Sequence, residues 1–98
     1  MLTSTMPKTK FDLGQIVGTP RAMRALDNAR QAPWEYIISR HGQGDWGETH
    51  PDDAGLNDQA LLDGDRIFSV YVLPTGVKVW VITEADRSIT TISLPEDY

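Results

Sequence analysis

From Arg66 to Pro95 the chain alternates apolar β-formers with turn residues: RIFSVYVLPTGVKVWVITEADRSITTISLP. The first run, Arg66 to Leu73, holds Ile67, Phe68, Val70, Tyr71, Val72 and Leu73, the branched and aromatic types that pack on a pleated surface. Leu73-Pro74-Thr75-Gly76-Val77 reads as a three-residue hairpin loop: Pro74 presets the first turn position and Gly76 takes the left-handed bulge. The second run, Val77 to Thr83, is apolar at nearly every position, as a middle strand is. The third, Ser88 to Leu94, is stopped by Pro95, which has no N–H for a ladder. The pattern predicts an antiparallel three-stranded meander. A simple hairpin register puts Phe68, Val70, Trp80 and Ile82 on one face and Ile67, Tyr71, Val79 and Val81 on the other. Both faces are apolar, so one meets helices and the other meets a partner, a second copy or the N-terminal residues.

The region before the sheet carries helical spacing. Phe11 to Thr19 is a short strand or an extended lead-in. Thr19-Pro20 is a helix start, with Thr as the cap and Pro in the first turn. Ala22, Met23 and Leu26 follow at helical spacing, and the helix ends before Pro33. A second helix opens at Ala32-Pro33, with Trp34, Ile37, Ile38 and His41 on one stripe and Gly42 at the C-terminal cap. A third begins at His50-Pro51, has Asp52 and Asp53 in its first turn, and ends at Gly64. The expected architecture is α+β: two or three short helices packed on a three-stranded antiparallel β-meander. Residues 1–10 are read as a flexible arm and 11–98 as one domain.

Charge sharpens this picture. Residues 1–50 carry six Lys/Arg against five Asp/Glu, whereas residues 51–98 carry three against nine. Asp45, Glu48, Asp52, Asp53, Asp58, Asp63 and Asp65 form a run with no Lys or Arg among them. Phosphate affinity requires cations, so direct nucleic-acid binding is disfavoured and a basic protein or nucleoprotein surface is favoured. The run reads either as a solvated face or as an imitation of a phosphate backbone. With no cysteine there is no disulfide frame, thiol nucleophile or Cys-based metal site. No stretch approaches a membrane span, and no leader pattern opens the chain. The expected location is cytoplasmic, with no cofactor and no membrane partner.

The densest collection of reactive side chains is Arg40-His41-Gly42-Gln43-Gly44-Asp45-Trp46-Gly47-Glu48-Thr49-His50. It admits three readings. Trp46 caps the core edge while His41 sits half buried at a helix end; or the glycines let Trp46 project as an anchor for a partner; or His41 and His50, with Asp45 and Glu48, hold a metal or do acid–base work. The nine-residue spacing of the histidines matches no metal motif. Glu84, Asp86 and Arg87, on the second strand connection, form either a site or a self-satisfied ion cluster.

The segments RHGQGDWGE, NDQALLDGDRIFSVY and GVKVWVITEADRSITTISLPEDY resemble a family of small "plasmid-related" proteins carried on bacterial plasmids, phages and other mobile elements. The resemblance runs from about Gly14 to Tyr98. It is most specific at Arg40-His41, Gly44-Asp45-Trp46-Gly47, Asn57-Asp58 and Thr83 to Ser88. The family pattern closes on Leu-Leu-Pro-Glu-Glu-Tyr, where this chain has Ser93-Leu94-Pro95-Glu96-Asp97-Tyr98. That family has no settled activity, so the resemblance assigns no catalytic residue. It implies mobile-element biology, where small acidic proteins block CRISPR complexes or restriction enzymes. The resulting expectation is a non-enzymatic inhibitor of a host nucleic-acid-targeting defence complex. Asp45, Trp46, Glu48, Asp52 and Asp53 would face the partner, and Arg40, His41, Glu84, Asp86 and Arg87 are secondary candidates. The alternative is a metal-binding protein or metal-assisted enzyme built on His41 and His50. A homodimer through the second sheet face is a third expectation.

Overall fold

A computed structural model describes residues 9–31 and 34–97, excluding the side chains at 34 and 35. The elements run β1 (Gln15–Gly18), α1 (Pro20–Asn28), a π turn (Trp34–Ile38) leading directly into α2 (Ser39–Gly42), α3 (Pro51–Asp63), β2 (Ile67–Val72), β3 (Lys78–Thr83), β4 (Ile89–Ser93) and a closing 3₁₀ turn (Pro95–Asp97). The fold is α+β, as expected. The opening of the second helix at Ala32-Pro33, the Trp34 side chain in its stripe and most of the 1–10 arm lie outside the described residues. At the arm's end the chain is already docked, with the Lys10 N–H on the Gly42 carbonyl at 2.7 Å. No helix among the described residues is long and apolar enough to cross a membrane.

The meander forms in the expected register. Phe68 pairs with Ile82 and Val70 with Trp80, and β3 pairs antiparallel with β4. Gly76 adopts φ 90°, and Leu73 and Val77 close the three-residue loop. The sheet is larger than the expected three antiparallel strands. β1 joins it as a parallel edge strand on β4, giving the order β1-β4-β3-β2. The lead-in of Gln15–Gly18 could not be paired from sequence because its partner lies some seventy residues away in the chain, at Ile89–Ile92.

Local signals set the helix ends. Thr19 caps α1, its hydroxyl oxygen accepting the Ala22 N–H at 3.2 Å. Its O–H donates to Asp97 at 2.7 Å, which ties the C-terminal turn to the start of α1. Gly64 ends α3 in the left-handed conformation. One expectation is corrected: Gly42 is not the left-handed cap. It is the last residue of α2, with Gln43 capping and Gly44 at φ 84°. Gly42 is buried because the Thr9 methyl occupies the space a side chain there would need.

Helices cover one face of the sheet. Ala22 and Leu26 of α1 and Ile37 and Ile38 pack on Tyr71, Val79, Val81 and Ile92. Trp46, Ala60 and Ile67 form a smaller cluster beneath α3. The helix face is therefore the Ile67/Tyr71/Val79/Val81 face, and burying these side chains supplies the main driving force of folding.

Candidate functional site

The loop GDWG, Gly44 to Gly47, is built as a seal on the outer edge of the sheet. The Asp45 carboxylate accepts the Gly47 N–H at 3.1 Å and two guanidinium bonds from Arg40, at 2.8 and 3.2 Å. The bonds from Arg40 hold its carboxyl below the usual carboxylate range. Arg40 also lies over the Tyr71 ring at 4.8 Å. The Tyr71 hydroxyl donates to the Asp45 carbonyl at 2.6 Å. These contacts turn the chain so that Gly47, at φ 68°, presses against the backbone of Val70. A Cβ on Gly47 would overlap the Val70 carbonyl and the Tyr71 ring. Only glycine combines this approach with that φ.

This geometry corrects the expectation that Trp46 projects toward a partner. Trp46 is 7% exposed. Its ring lies 5.9 Å from His41 and 6.3 Å from Phe11, and its indole N–H donates to Asp58 at 3.0 Å. The ring closes the core edge beneath α3, and the adjacent carboxylates stay outside. Asp45, Glu48, Asp52 and Asp53 are exposed. The solvent side of α3 carries Asp52, Asp63 and, between them, Leu56, which is 66% exposed; Leu62 is 81% exposed.

His41 is wholly buried, not half buried, and belongs to a chain of hydroxyls. Its Nδ1 lies 2.6 Å from Ser69 Oγ and its Nε2 2.9 Å from Thr83 Oγ1. Thr83 Oγ1 is 2.7 Å from Thr90 Oγ1, and the Thr90 O–H donates to the Leu13 carbonyl at 2.6 Å. That carbonyl sets the direction of the whole chain. With Thr90's single proton committed to Leu13, the Thr83 O–H must donate to Thr90. Thr83 then accepts from His41 Nε2–H, and bare Nδ1 accepts from Ser69. Burial, with Arg87 nearby, pushes the imidazole pKa down to about 3, so it stays neutral. A Ser–His pair at this distance has the spacing of a nucleophile and its base. Here both side chains are wholly buried, and the network ties α2 to β2, β3 and β4 through polar groups.

The remaining candidates are separate. His50 caps α3, its exposed Nδ1 accepting the Asp52 N–H at 3.1 Å. It does not converge with His41, whose two ring nitrogens both face hydroxyls in the core. Among the described residues no group of three or more His, Asp or Glu is placed to hold a metal ion. Glu84 pairs with Arg66 at 3.4 Å, and Asp86 accepts from the Ser88 backbone and hydroxyl at 3.0 and 2.6 Å. Arg87 does not join them as an ion cluster. Its guanidinium reaches the carbonyls of Ala60 and Asp65 at 3.1 and 2.6 Å, and those of Glu84 and Ala85 in its own loop. A cation on the carbonyls at the end of α3 also complements the helix dipole.

No protein-family model, no curated protein and no solved structure matches this chain. The residues that sequence reasoning missed are Ser69, Thr83, Thr90 and Asn57. A signal for the first two was present: they continue the strand alternation of Ile67/Tyr71 and Val79/Val81, so they are polar residues on the helix face. A polar residue there requires a buried partner, and His41 was the one titratable group on the facing helical stripe.

Proposed function

We propose that this chain is a non-enzymatic binding protein whose α3 side docks on a basic protein surface. In the mobile-element setting implied by the resemblance of its segments, that surface belongs to a nucleic-acid-targeting defence complex of the host. The observation that carries the reading is the exposed side of α3 and its entry: Glu48, Asp52, Asp53 and Asp63 lie in a stretch without Lys or Arg, around the exposed Leu56. Carboxylates of this kind steer encounter with a cationic groove, and the leucine adds apolar contact on docking. Asp45 contributes charge to the same side but is held by Arg40 and Gly47. Trp46, buried, is not part of the docking surface.

The test uses purified CRISPR effector complexes and restriction endonucleases, with DNA binding and cleavage measured as the protein is added. The triple variant Glu48→Lys/Asp52→Lys/Asp53→Lys changes only exposed side chains. Wild type is expected to compete with DNA for at least one such complex. The triple variant should lose that competition by an order of magnitude or more, and raised salt should weaken the wild type. Equal inhibition by wild type and triple variant, or inhibition of none of the complexes, would overturn the reading.

A further inference from the structure

The two edges of the sheet are treated in opposite ways. Every outward backbone group of β2 from the Phe68 N–H to the Val70 carbonyl is occupied. Asn57 takes both groups of Phe68, at 3.0 and 2.6 Å. The Val70 N–H donates to Thr49 Oγ1 at 3.1 Å, and the Val70 carbonyl accepts the Glu48 N–H at 2.6 Å. Beyond these, the Tyr36 hydroxyl donates to the Val72 carbonyl at 3.2 Å. An unguarded strand edge is a template for another chain, and this one is closed.

At the opposite edge, β1 faces β4 through alternate residues. The Gln15 N–H donates to the Ser88 carbonyl at 3.0 Å and the Thr19 N–H to the Ile92 carbonyl at 2.9 Å. With the parallel register Gln15–Ile89 to Gly18–Ile92, residues 15, 17 and 19 point to β4, and Ile16 and Gly18 point away. No described residue outside β1 takes the outward N–H and C=O groups of Ile16 and Gly18. The strand QIVG carries no Lys, Pro or charge to discourage pairing. It is also apolar on both sides. Val17 is half buried on the far face. On the helix face Ile16 is half buried, and the Met23 methyl fills the place of a Gly18 side chain.

We infer that β1 is a self-pairing edge and that two copies join antiparallel through it, with a two-fold axis at Val17. The occupant is a second copy because the edge is self-complementary. Ile16 and Gly18 are placed symmetrically about Val17, so Ile16 of each copy exchanges both backbone bonds with Gly18 of the other. All four exposed groups on each copy are then paired. Ile16 meets the Met23 methyl beside the opposite glycine, Gln15 meets Thr19, and no like charges are opposed. The result is one eight-stranded sheet with all helices on one face. This pairing is independent of the acidic face on α3, which lies at the far edge.

The axis makes a sharp test in a chain without cysteine. Val17 of the two copies forms a non-hydrogen-bonded antiparallel pair, with Cα atoms about 4.5 Å apart, within the span a disulfide bridges. Full-length Val17→Cys, under mild oxidation, should convert mostly to a disulfide-linked dimer. Asp63→Cys, more exposed than Val17 but far from the axis, should remain mostly monomeric. Wild type should show concentration-dependent dimerisation by sedimentation. Gly18→Pro, made together with Met23→Ala so that the ring does not overlap the Met23 methyl, removes an outward N–H and leaves the bonds to β4 intact; it should abolish dimerisation while circular dichroism stays native. The inference is overturned if Val17→Cys crosslinks no faster than Asp63→Cys, or if wild type stays monomeric at all concentrations. It is equally overturned if the folded Gly18→Pro/Met23→Ala variant dimerises as well as wild type, since the contact then lies elsewhere.

Discussion

Asn57 stands beside Phe68 as a neighbouring strand would, its amide oxygen accepting the Phe68 N–H and its amide nitrogen donating to the Phe68 carbonyl. Asn57 itself is only 3% exposed. Through this pair α3 is fastened to the edge of the sheet by its middle turns, and the edge is hidden from other chains.

Asn57→Ala leaves both groups of Phe68 without their partner. It should cost about 2 kcal/mol or more, because a buried donor or acceptor stripped of its bond incurs its full desolvation penalty. Asn57→Asp keeps the acceptor but sets a carboxylate against the Phe68 carbonyl, so at neutral pH it should be the worse of the two. Urea denaturation of the three proteins checks the order; an Asn57→Ala midpoint equal to wild type would contradict it.

The His41 network makes stability depend on pH in one direction. The folded imidazole titrates at about 3, against an ordinary value of 6.5. Below pH 6.5 the unfolded chain takes up a proton that the folded chain refuses. The contribution is thus present above 6.5 and is lost as pH falls toward about 3, at roughly 1.4 kcal/mol per pH unit. Carboxylates titrate in part of the same range, so the comparison is with His41→Gln. Wild type should lose stability more steeply than the variant between pH 6.5 and 4.5, and parallel curves would refute the assignment.

Trp46 separates packing from hydrogen bonding. Trp46→Ala empties the cluster with Ala60 and Ile67 and should cost about 3–5 kcal/mol, enough to unfold much of a marginal domain. Trp46→Phe keeps most of the ring and loses the bond to Asp58, for about 1 kcal/mol. Thermal melts followed by far-ultraviolet circular dichroism give both values. A native melting temperature for Trp46→Ala would mean that the indole is not core.

Arg87 combines a left-handed backbone, φ 61°, with bonds to the end of α3. Arg87→Gly removes the bonds and relieves the backbone, whereas Arg87→Ala removes the bonds and keeps the strain. The alanine variant should therefore be less stable than the glycine variant by about 1 kcal/mol, and both should be less stable than wild type. Chemical denaturation of the pair reads the difference directly, and equal midpoints would remove the strain argument.

The elements written in neighbouring residues were legible from sequence. Thr19-Pro20 opens α1, Gly64 closes α3, and the Leu73–Val77 loop sets the Phe68–Ile82 register, because each depends on φ preferences and bonds a few residues apart. The alternation of apolar residues assigned the two faces of β2 and β3. What tertiary structure decided was where non-local polar groups landed. The parallel pairing of Gln15–Gly18 with β4 needs a partner that no adjacent residue specifies. Gly44, Asp45 and Gly47 have the composition of an exposed binding loop; Trp46 turns inward because Arg40, Tyr71 and Val70 hold the loop against the β2 edge. His41 is held neutral by burial, with the Ser69 and Thr83 hydroxyls on its two ring nitrogens and Thr90 behind Thr83, and Arg87 leaves its acidic neighbours for carbonyls on α3. Short-range preference settles the elements, whereas the desolvation of each polar group, which depends on everything packed around it, settles what that group does.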